Sequence, residues 1–351
     1  MVRALWLIPP GAMQFASGKD PEQGLLGCHL ASVRLRTAVA ALEWRRSGNE
    51  NVCWDPGTTG AGQSIDWKTA KICIVPKYYH DVPLQPWLDA CQAAKRSGCR
   101  LVIDISDYPF RKPPSVQAFY SQVLKICDAV VVNSGRMAEL MAAHTVHQPL
   151  IIEDAILGPM GEPAFAPAGR VELLWFGHPT NLPYLRARLD ALAGFAMRKR
   201  CRLTVMTQDG VGAKEWTQNI QARFAPAFEA RFIPWSLEAM QTALNECDLV
   251  LLPSDPSDSL KAGASANRLA EALNAGRFAV ASPLPSYLPF AEAAWLGDDL
   301  IEGVRWALAN RADVLARIRC GQILVAKKFT ADRVGRQWRQ LFERLASVSD
   351  R

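Results

Sequence analysis

Residues 247–283 read CDLVLLPSDPSDSLKAGASANRLAEALNAGRFAVASP. The apolar run Leu249 to Leu252 is short enough for a strand covered on both faces, a polar loop carrying Lys261 follows, and Gly276 closes a helical stretch before Phe278 to Ala281 begins a second strand. That is one βαβ unit. The start of its helix is crowded with polar groups: Ser265, Asn267 and Arg268 fall in the first turn, Lys261 precedes them and Glu271 follows. The first backbone N–H groups of a helix lack intrahelical partners and carry the positive end of its dipole, so an anion is stabilised there before any side chain contributes. Lys261 and Arg268 add charge. Asn267 and Glu271 lie one helical turn apart on one face, which places the carboxylate roughly 6 to 9 Å along the axis from the anion-binding end. A ligand with a diphosphate at the helix start and a ribose diol on Glu271 satisfies both groups. An ordinary capped helix with a solvated polar face is the alternative.

The pattern strand, Pro253-Ser254, loop, helix with Glu271, then Ala275-Gly276-Arg277-Phe278-Ala279-Val280-Ala281-Ser282 resembles the donor-binding unit of GT-B-fold glycosyltransferases, in the large retaining group that includes glycogen synthases and many bacterial polysaccharide enzymes. The resemblance implies an α/β protein of two Rossmann-like parallel-sheet domains facing a cleft. It also implies that Glu271 grips ribose, that the basic residues near the helix start grip the diphosphate, and that a sugar moves with retention of configuration. One position departs from the commoner form, which carries a Glu eight residues before the ribose Glu; this chain has Gly263 there. That departure keeps a noncatalytic nucleotide-sugar-binding or assembly protein of the same fold open, and a sugar-nucleotide epimerase shares the layout.

An echo of the 247–254 stretch occurs earlier, where Cys127-Asp128-Ala129-Val130-Val131-Val132-Asn133-Ser134 matches it in type. Each half opens on a strand running into a Gly-containing loop, Ala4 to Gly11 and Leu173 to Gly177. In the first half, strands are expected near Ala4 to Ile8, Ile72 to Val75, Leu101 to Ile105 and Ala129 to Val132. Helices are expected around Val33 to Arg46, Leu84 to Ser97 and Val116 to Ile126. In the second, strands are expected near Val171 to Phe176, Arg202 to Thr207, Ala230 to Ile233, Leu249 to Leu252 and Phe278 to Ala281. The alternation predicts parallel, helix-covered sheets with functional loops at the carboxyl ends of their strands. Pro and Gly residues mark a linker at Gly158 to Gly169, giving expected domains 1–160 and 161–328 with a final segment 329–351, whose amphipathic Ala331 to Leu345 either crosses back to the first domain or covers the second sheet.

With 351 residues, 49% hydrophobic and 21% charged, the chain has the composition of a globular enzyme, and its net charge of +6 is scattered rather than gathered into an aromatic-studded stripe. No nucleic-acid partner is expected. The nine cysteines are dispersed with no Cys-x-x-Cys pair and read as reduced thiols, and no run reaches the length of a spanning helix, so a cytoplasmic location, with contact at the inner membrane surface as an option, is the expectation. Met1 to Pro10 reads as a first strand rather than a signal segment. There is no Gly-x-Gly-x-x-Gly after strand one, no Walker-type Gly-Lys-Ser and no Gly-x-Ser-x-Gly, which argues against dehydrogenase, kinase and hydrolase. His144 and His147 have helical ligand spacing without a completing set, no paired-Asp metal motif lies near the expected donor site, and neither a metal nor a cofactor is expected beyond a nucleotide-diphosphate sugar as donor.

Further candidates lie at strand ends. Gly177, His178 and Asn181 follow the second half's first strand, where the resemblance implies donor contacts; a turn with Asn181 capping the next helix is the other reading. Trp235 either stacks on a base or packs, and Ser236 caps a helix. On the acceptor side stand Arg34 and Arg36, in a segment Ala31 to Arg36 similar to that of some GT-B enzymes, with Lys77, Asp104 and Asp107. The arginines either act directly or are solvated helix charges. The two aspartates either face a cleft, for acceptor binding or as a base, or cap a turn. The expected acceptor is a hydroxyl on a glycan, a lipid-linked group or another molecule.

Overall fold

The computed structural model describes residues 1–58, 65–258, 261 and 263–347. Two compact units emerge: Met1–Leu157 with Ala262–Ser265 and Lys328–Arg351, and Gly158–Lys261 with Ala266–Lys327.

The first unit holds a sheet of β1 (Arg3–Leu7), β2 (Glu50–Trp54), β3 (Ala70–Val75), β4 (Arg100–Ile105), β5 (Ala129–Val132) and β6 (Leu150–Ile151), ordered β2-β1-β3-β4-β5-β6 with every pairing parallel. Alternate residues point to opposite faces, and both faces are buried. Leu5, Cys73, Leu101 and Val130 enter one core with Trp87 and Phe119, while Ala4, Trp6, Ile72 and Val131 enter another with Trp44 and Trp338. The helix Ala331–Ser347 closes the second of these cores, setting Phe342 edge-on to Trp6 and Trp44. Gly335 lets it approach the helix Ala38–Arg46, since a Cβ there would stand 2.9 Å from that of Glu43.

The second sheet contains β7 (Val171–Phe176), β8 (Cys201–Thr207), β9 (Phe228–Pro234), β10 (Leu249–Leu252), β11 (Phe278–Ala281) and β12 (Trp295–Leu296), ordered β12-β11-β10-β7-β8-β9 and again all parallel. Counted from its own first strand this is the 3-2-1-4-5-6 order of dinucleotide-binding sheets, and the building direction reverses between β7 and β10. The 158–169 stretch runs along this unit. Gly161 and Ala164 donate backbone bonds to Asn274 and Gly276 at 2.8 and 3.0 Å. Gly276, at φ +74°, is required there: a Cβ would meet the Glu162 carbonyl oxygen at 2.1 Å.

Three strands escape the sequence pattern. β6 and β12 have two residues each, too few for periodicity, and β2 lies at a sheet edge with all five residues only half-buried. The expected helix from Val33 begins as a π-helical turn, Val33–Thr37, before turning α at Ala38.

The Cys-Asp echo is a repeated structural device. At the start of β5, Asp128 donates its N–H to the Leu101 carbonyl and accepts the Leu101 N–H on its carboxylate, at 2.8 and 2.7 Å. At the start of β10, Asp248 does the same to Glu172, at 2.8 Å in both directions. Each Asp thus fixes the register of its strand against a parallel neighbour. Their surroundings differ. Burial raises Asp128, but Lys95 at 2.6 Å, the Leu101 amide and Arg100 at 3.1 Å outweigh it, and its pKa falls below the ordinary 3.8. Asp248 is raised, chiefly by burial and also by Glu172.

The consequence is opposite pH behaviour. A carboxyl whose folded pKa is depressed stabilises the fold above its unfolded pKa and loses that contribution as pH falls through the folded value; one whose pKa is raised favours the fold more as it protonates. Asp128→Asn is expected to cost about 1–2 kcal/mol at neutral pH, with the deficit closing in acid below the ordinary carboxylate range. Asp248→Asn shows no such closing. Urea unfolding between pH 3 and 7 checks both.

Candidate functional site

The second unit's site forms where β7 and β10 end. The helix Asn267–Asn274 starts at Ala266 with no side-chain cap and no acid in its first turn, whereas Ser134, Ser236 and Asp299 cap theirs. Its first amides therefore remain available in the sense that matters for an anion. Only Asn267, Arg268 and Glu271 of this helix are not buried, because Leu269, Ala270, Ala272 and Leu273 face the sheet. Glu271 thus shares the one open face with Arg268, three residues from it.

Arg268 turns back across the end of β7. A Cβ on Gly177 would stand 3.2 Å from its Nη1 and 3.5 Å from Asn181 Nδ2, so the missing side chain makes room for the guanidinium. That Nη1 is buried and has no hydrogen-bond acceptor among the described residues. An unmet buried donor on a cation is costly and is relieved by an anion that reaches it. Lys261 Nζ donates to Asn181 Oδ1 at 2.6 Å and lies 5.5 Å from the centre of the Tyr184 ring. Asn181 opens the helix Leu182–Arg186 but makes no capping bond with its side chain, so holding Lys261 replaces the capping role. His178 is the residue that caps: its Nδ1 accepts from the Thr180 N–H at 3.3 Å and meets Thr180 Oγ1 at 2.9 Å, which puts the ring proton on Nε2. Gly177, Asn181, Lys261 and Arg268 are thus brought together.

Trp235 is half-buried just past β9, its backbone N–H bonded to the Thr207 carbonyl at 2.9 Å, and Ser236 caps the helix Leu237–Glu246 through the Ala239 N–H. Ser265 is half-buried in the short segment that groups with the first unit; in that segment a Cβ on Gly263 would lie 2.4 Å from Met137 Cε and 3.1 Å from its Sδ. The place of a side chain at 263 is taken by methionine.

In the first unit the arginines are not solvated charges. Arg34 and Arg36 are both buried. Arg34 donates to the Cys28 carbonyl at 2.7 Å. Arg36 forks onto Asp104, with Nη2 at 2.6 Å, and bonds Asp154 at 2.6 Å and the Ile152 carbonyl at 2.7 Å; its guanidinium lies 5.6 Å from the Trp338 ring centre. Asp104, 1% exposed, is thereby committed to an internal ion triad, and burial raises its carboxyl against the pull of Arg36. Lys77 and Asp107 do meet, at 2.6 Å, beyond the ends of β3 and β4. Burial would lower Lys77, but Asp107 and Tyr79 outweigh it and hold the ammonium charged. Lys77 also sits 5.0 Å from the Tyr79 ring centre, and the Tyr79 hydroxyl bonds Ser32 at 2.7 Å. His144 stacks on Phe110 at 3.8 Å and His147 bonds the Cys127 carbonyl, so each has a structural contact of its own.

No family model matches the chain, and no curated protein matches it significantly in sequence. Solved structures do match. HepE of Anabaena, determined with UDP-glucose, superposes with a TM-score of 0.69 over 98% of this chain and 100% of its own at 13% identity. The fold is GT-B. A glycosyltransferase from Rickettsia africae shares this GT-B architecture with a TM-score of 0.64 over 98% of both chains at 9% identity. TarM of S. aureus, determined with UDP and α-GlcNAc-glycerol among its ligands, does so at 0.55 over 78% of this chain and 55% of its own at 11% identity. No described helix is long and apolar enough to cross a membrane, and all nine cysteines are unpaired, with burial pushing thiols such as Cys91 up to about 12.

Sequence reasoning missed Tyr184, Asp258 and Asp154. Tyr184 joins Lys261 only through the fold, and its hydroxyl bonds Asp258 in the loop after β10. No spacing rule connects a residue on a helix after β7 with residues on a loop after β10 that strand order brings together.

Arg36→Met leaves two carboxylates buried without their cation and is expected to destabilise the first unit by about 3–5 kcal/mol, read by denaturant unfolding. Gly177→Ala is expected to keep the fold, at about 1 kcal/mol, while displacing Arg268 and weakening phosphate-containing ligands about tenfold in calorimetric titration.

Proposed function

We propose that this protein is a nucleotide-sugar-dependent glycosyltransferase, with the diphosphate of the donor held at the start of the helix Asn267–Asn274. The observation that carries this reading is the buried, unmet Arg268 Nη1 beside an uncapped helix start and the Lys261–Asn181 pair. Only an anion with several acceptor oxygens answers all three at once. Glu271, on the same helix face, is assigned the ribose diol. Gly177, His178 and Asn181 are assigned to the donor phosphates or sugar, and Ser265 and Asn267 to the phosphate end. Trp235 is assigned to the base. Uridine diphosphate sugars are the first donors to test, because HepE and TarM were determined with UDP or a UDP-sugar.

In the reaction the bond between the sugar's anomeric carbon and the diphosphate oxygen breaks, the acceptor hydroxyl oxygen bonds to that carbon, and its proton leaves with the departing diphosphate or solvent. Charge grows on the diphosphate as the bond breaks. Lys261, Arg268 and the helix amides stabilise that charge where it develops, with no metal ion required for the task. Transfer with retention follows the family pattern. The N-terminal domain, taken from the linker's position as residues 1–160 with 329–351 as a final segment, is assigned the acceptor, with Lys77 and Asp107 as its half-buried polar pair and Arg34, Arg36 and Asp104 supporting from the interior.

A second reading, a noncatalytic nucleotide-sugar binder, is favoured by Gly263, whose side-chain space is filled by Met137. Turnover separates the two. With a panel of nucleoside diphosphate sugars, the transferase releases the nucleoside diphosphate by transfer or slow hydrolysis. Lys261→Ala is expected to lower turnover about a hundredfold with little change in unfolding midpoint, and Glu271→Ala to weaken nucleotide binding about tenfold. Donor binding without any turnover supports the binder; unchanged affinity and rate in both variants removes the site assignment.

A further inference from the structure

Lys261 is borne by a loop, and an ammonium on a loop stabilises a leaving group only if the loop holds it in place beforehand. Four bonds organise this loop. Asp255 accepts the Ser257 N–H at 2.8 Å and Ser257 Oγ at 2.6 Å, its carbonyl accepts the Asp258 N–H at 3.2 Å, and the Asp258 carbonyl accepts the Lys261 N–H at 2.8 Å. These lie within the loop. Tyr184, in the helix Leu182–Arg186, ties it to the rest of the unit: its hydroxyl donates to Asp258 Oδ2, and its ring lies under the Lys261 ammonium with 5.5 Å between nitrogen and ring centre. One side chain therefore holds the loop at Asp258 and the cation at Lys261, while Asn181, one turn earlier, takes the ammonium's hydrogen bond.

Building on the donor-site reading, we infer that Tyr184 and Asp258 form a clasp that positions Lys261 for the diphosphate, Tyr184 acting both as an anchor for the loop and as a platform for the cation. Neither residue touches the ligand. The phenol is kept protonated, and so able to donate, by its burial and by the negative charge of Asp258, which together raise its pKa well above the ordinary 10.0. The face of an aromatic ring attracts a cation without neutralising it, so the clasp directs Lys261 toward the phosphate oxygens.

The two functions of Tyr184 separate by substitution. Tyr184→Phe and Asp258→Asn loosen the anchor and keep the ring; Tyr184→Leu removes both. In the ligand-free protein, hydrogen exchange at the Lys261 amide is expected to accelerate about tenfold in Tyr184→Phe, with the unfolding midpoint and the exchange of β10 amides unchanged. Calorimetric titration with UDP is expected to show a loss of about three- to tenfold in Tyr184→Phe and more in Tyr184→Leu. Both losses are expected to vanish in a Lys261→Ala background, because a residue acting through Lys261 has nothing left to act on. Wild-type exchange in Tyr184→Phe and Asp258→Asn, or an affinity loss that persists without Lys261, overturns the clasp. If wild-type protein binds no nucleoside diphosphate, the donor-site reading fails, and the exchange measurement still decides whether Tyr184 holds the loop.

Discussion

Between β7 and β10 the second sheet changes the direction in which it is built, and the loops leaving those two strands are carried to opposite faces. A crevice at the carboxyl ends of the strands is the geometric result. The anion-binding features proposed for the donor hang on that reversal: Gly177 ends β7, Lys261 lies beyond β10, and the helix start at Ala266 follows. The sheet itself is fixed by ordinary forces. Leu249, Leu251, Phe278 and Val280 are fully buried, and Asp248 locks β10 to β7 through paired bonds with Glu172. Parallel strands buried on both faces leave little freedom in register, so the loops inherit fixed starting points.

The site then illustrates how the same charge type takes two fates. Arg36 is buried with two carboxylates and a carbonyl as partners, and its guanidinium is used up inside the first unit. Arg268 has a buried Nη1 with no acceptor, next to a glycine that makes room for it. The first arrangement is complete; the second leaves a donor unmet among the described residues, which is what the donor-site proposal builds on.

The fold was legible where burial imposes a pattern. Leu249 to Leu252 and Ala129 to Val132 are strands at the expected residues because a strand covered on both faces must be apolar throughout. The edge strands β2, β6 and β12 lack that requirement and left no signal. The polar cluster near the helix start was legible because helix polarity dictates which residue types collect there. The fates of Arg34, Arg36 and Asp104 were not: a charged residue on a helix reads as solvated, and only the fold brings Asp104 and Asp154 to Arg36. Tyr184 and Asp258 were invisible for the same reason. Their pairing depends on a helix after β7 meeting a loop after β10 at the sheet's reversal, a relation with no trace in local spacing.

The most direct test of the central claim is a crystal structure of the protein grown with a nucleoside diphosphate, taking UDP first and a purine counterpart beside it. The account predicts diphosphate density at the first-turn amides of the helix Asn267–Asn274, with an oxygen within hydrogen-bond reach of Arg268 Nη1 and another beside Lys261 Nζ. A nucleotide seated elsewhere, or seated here with its diphosphate turned away from Arg268 and the helix start, would contradict it.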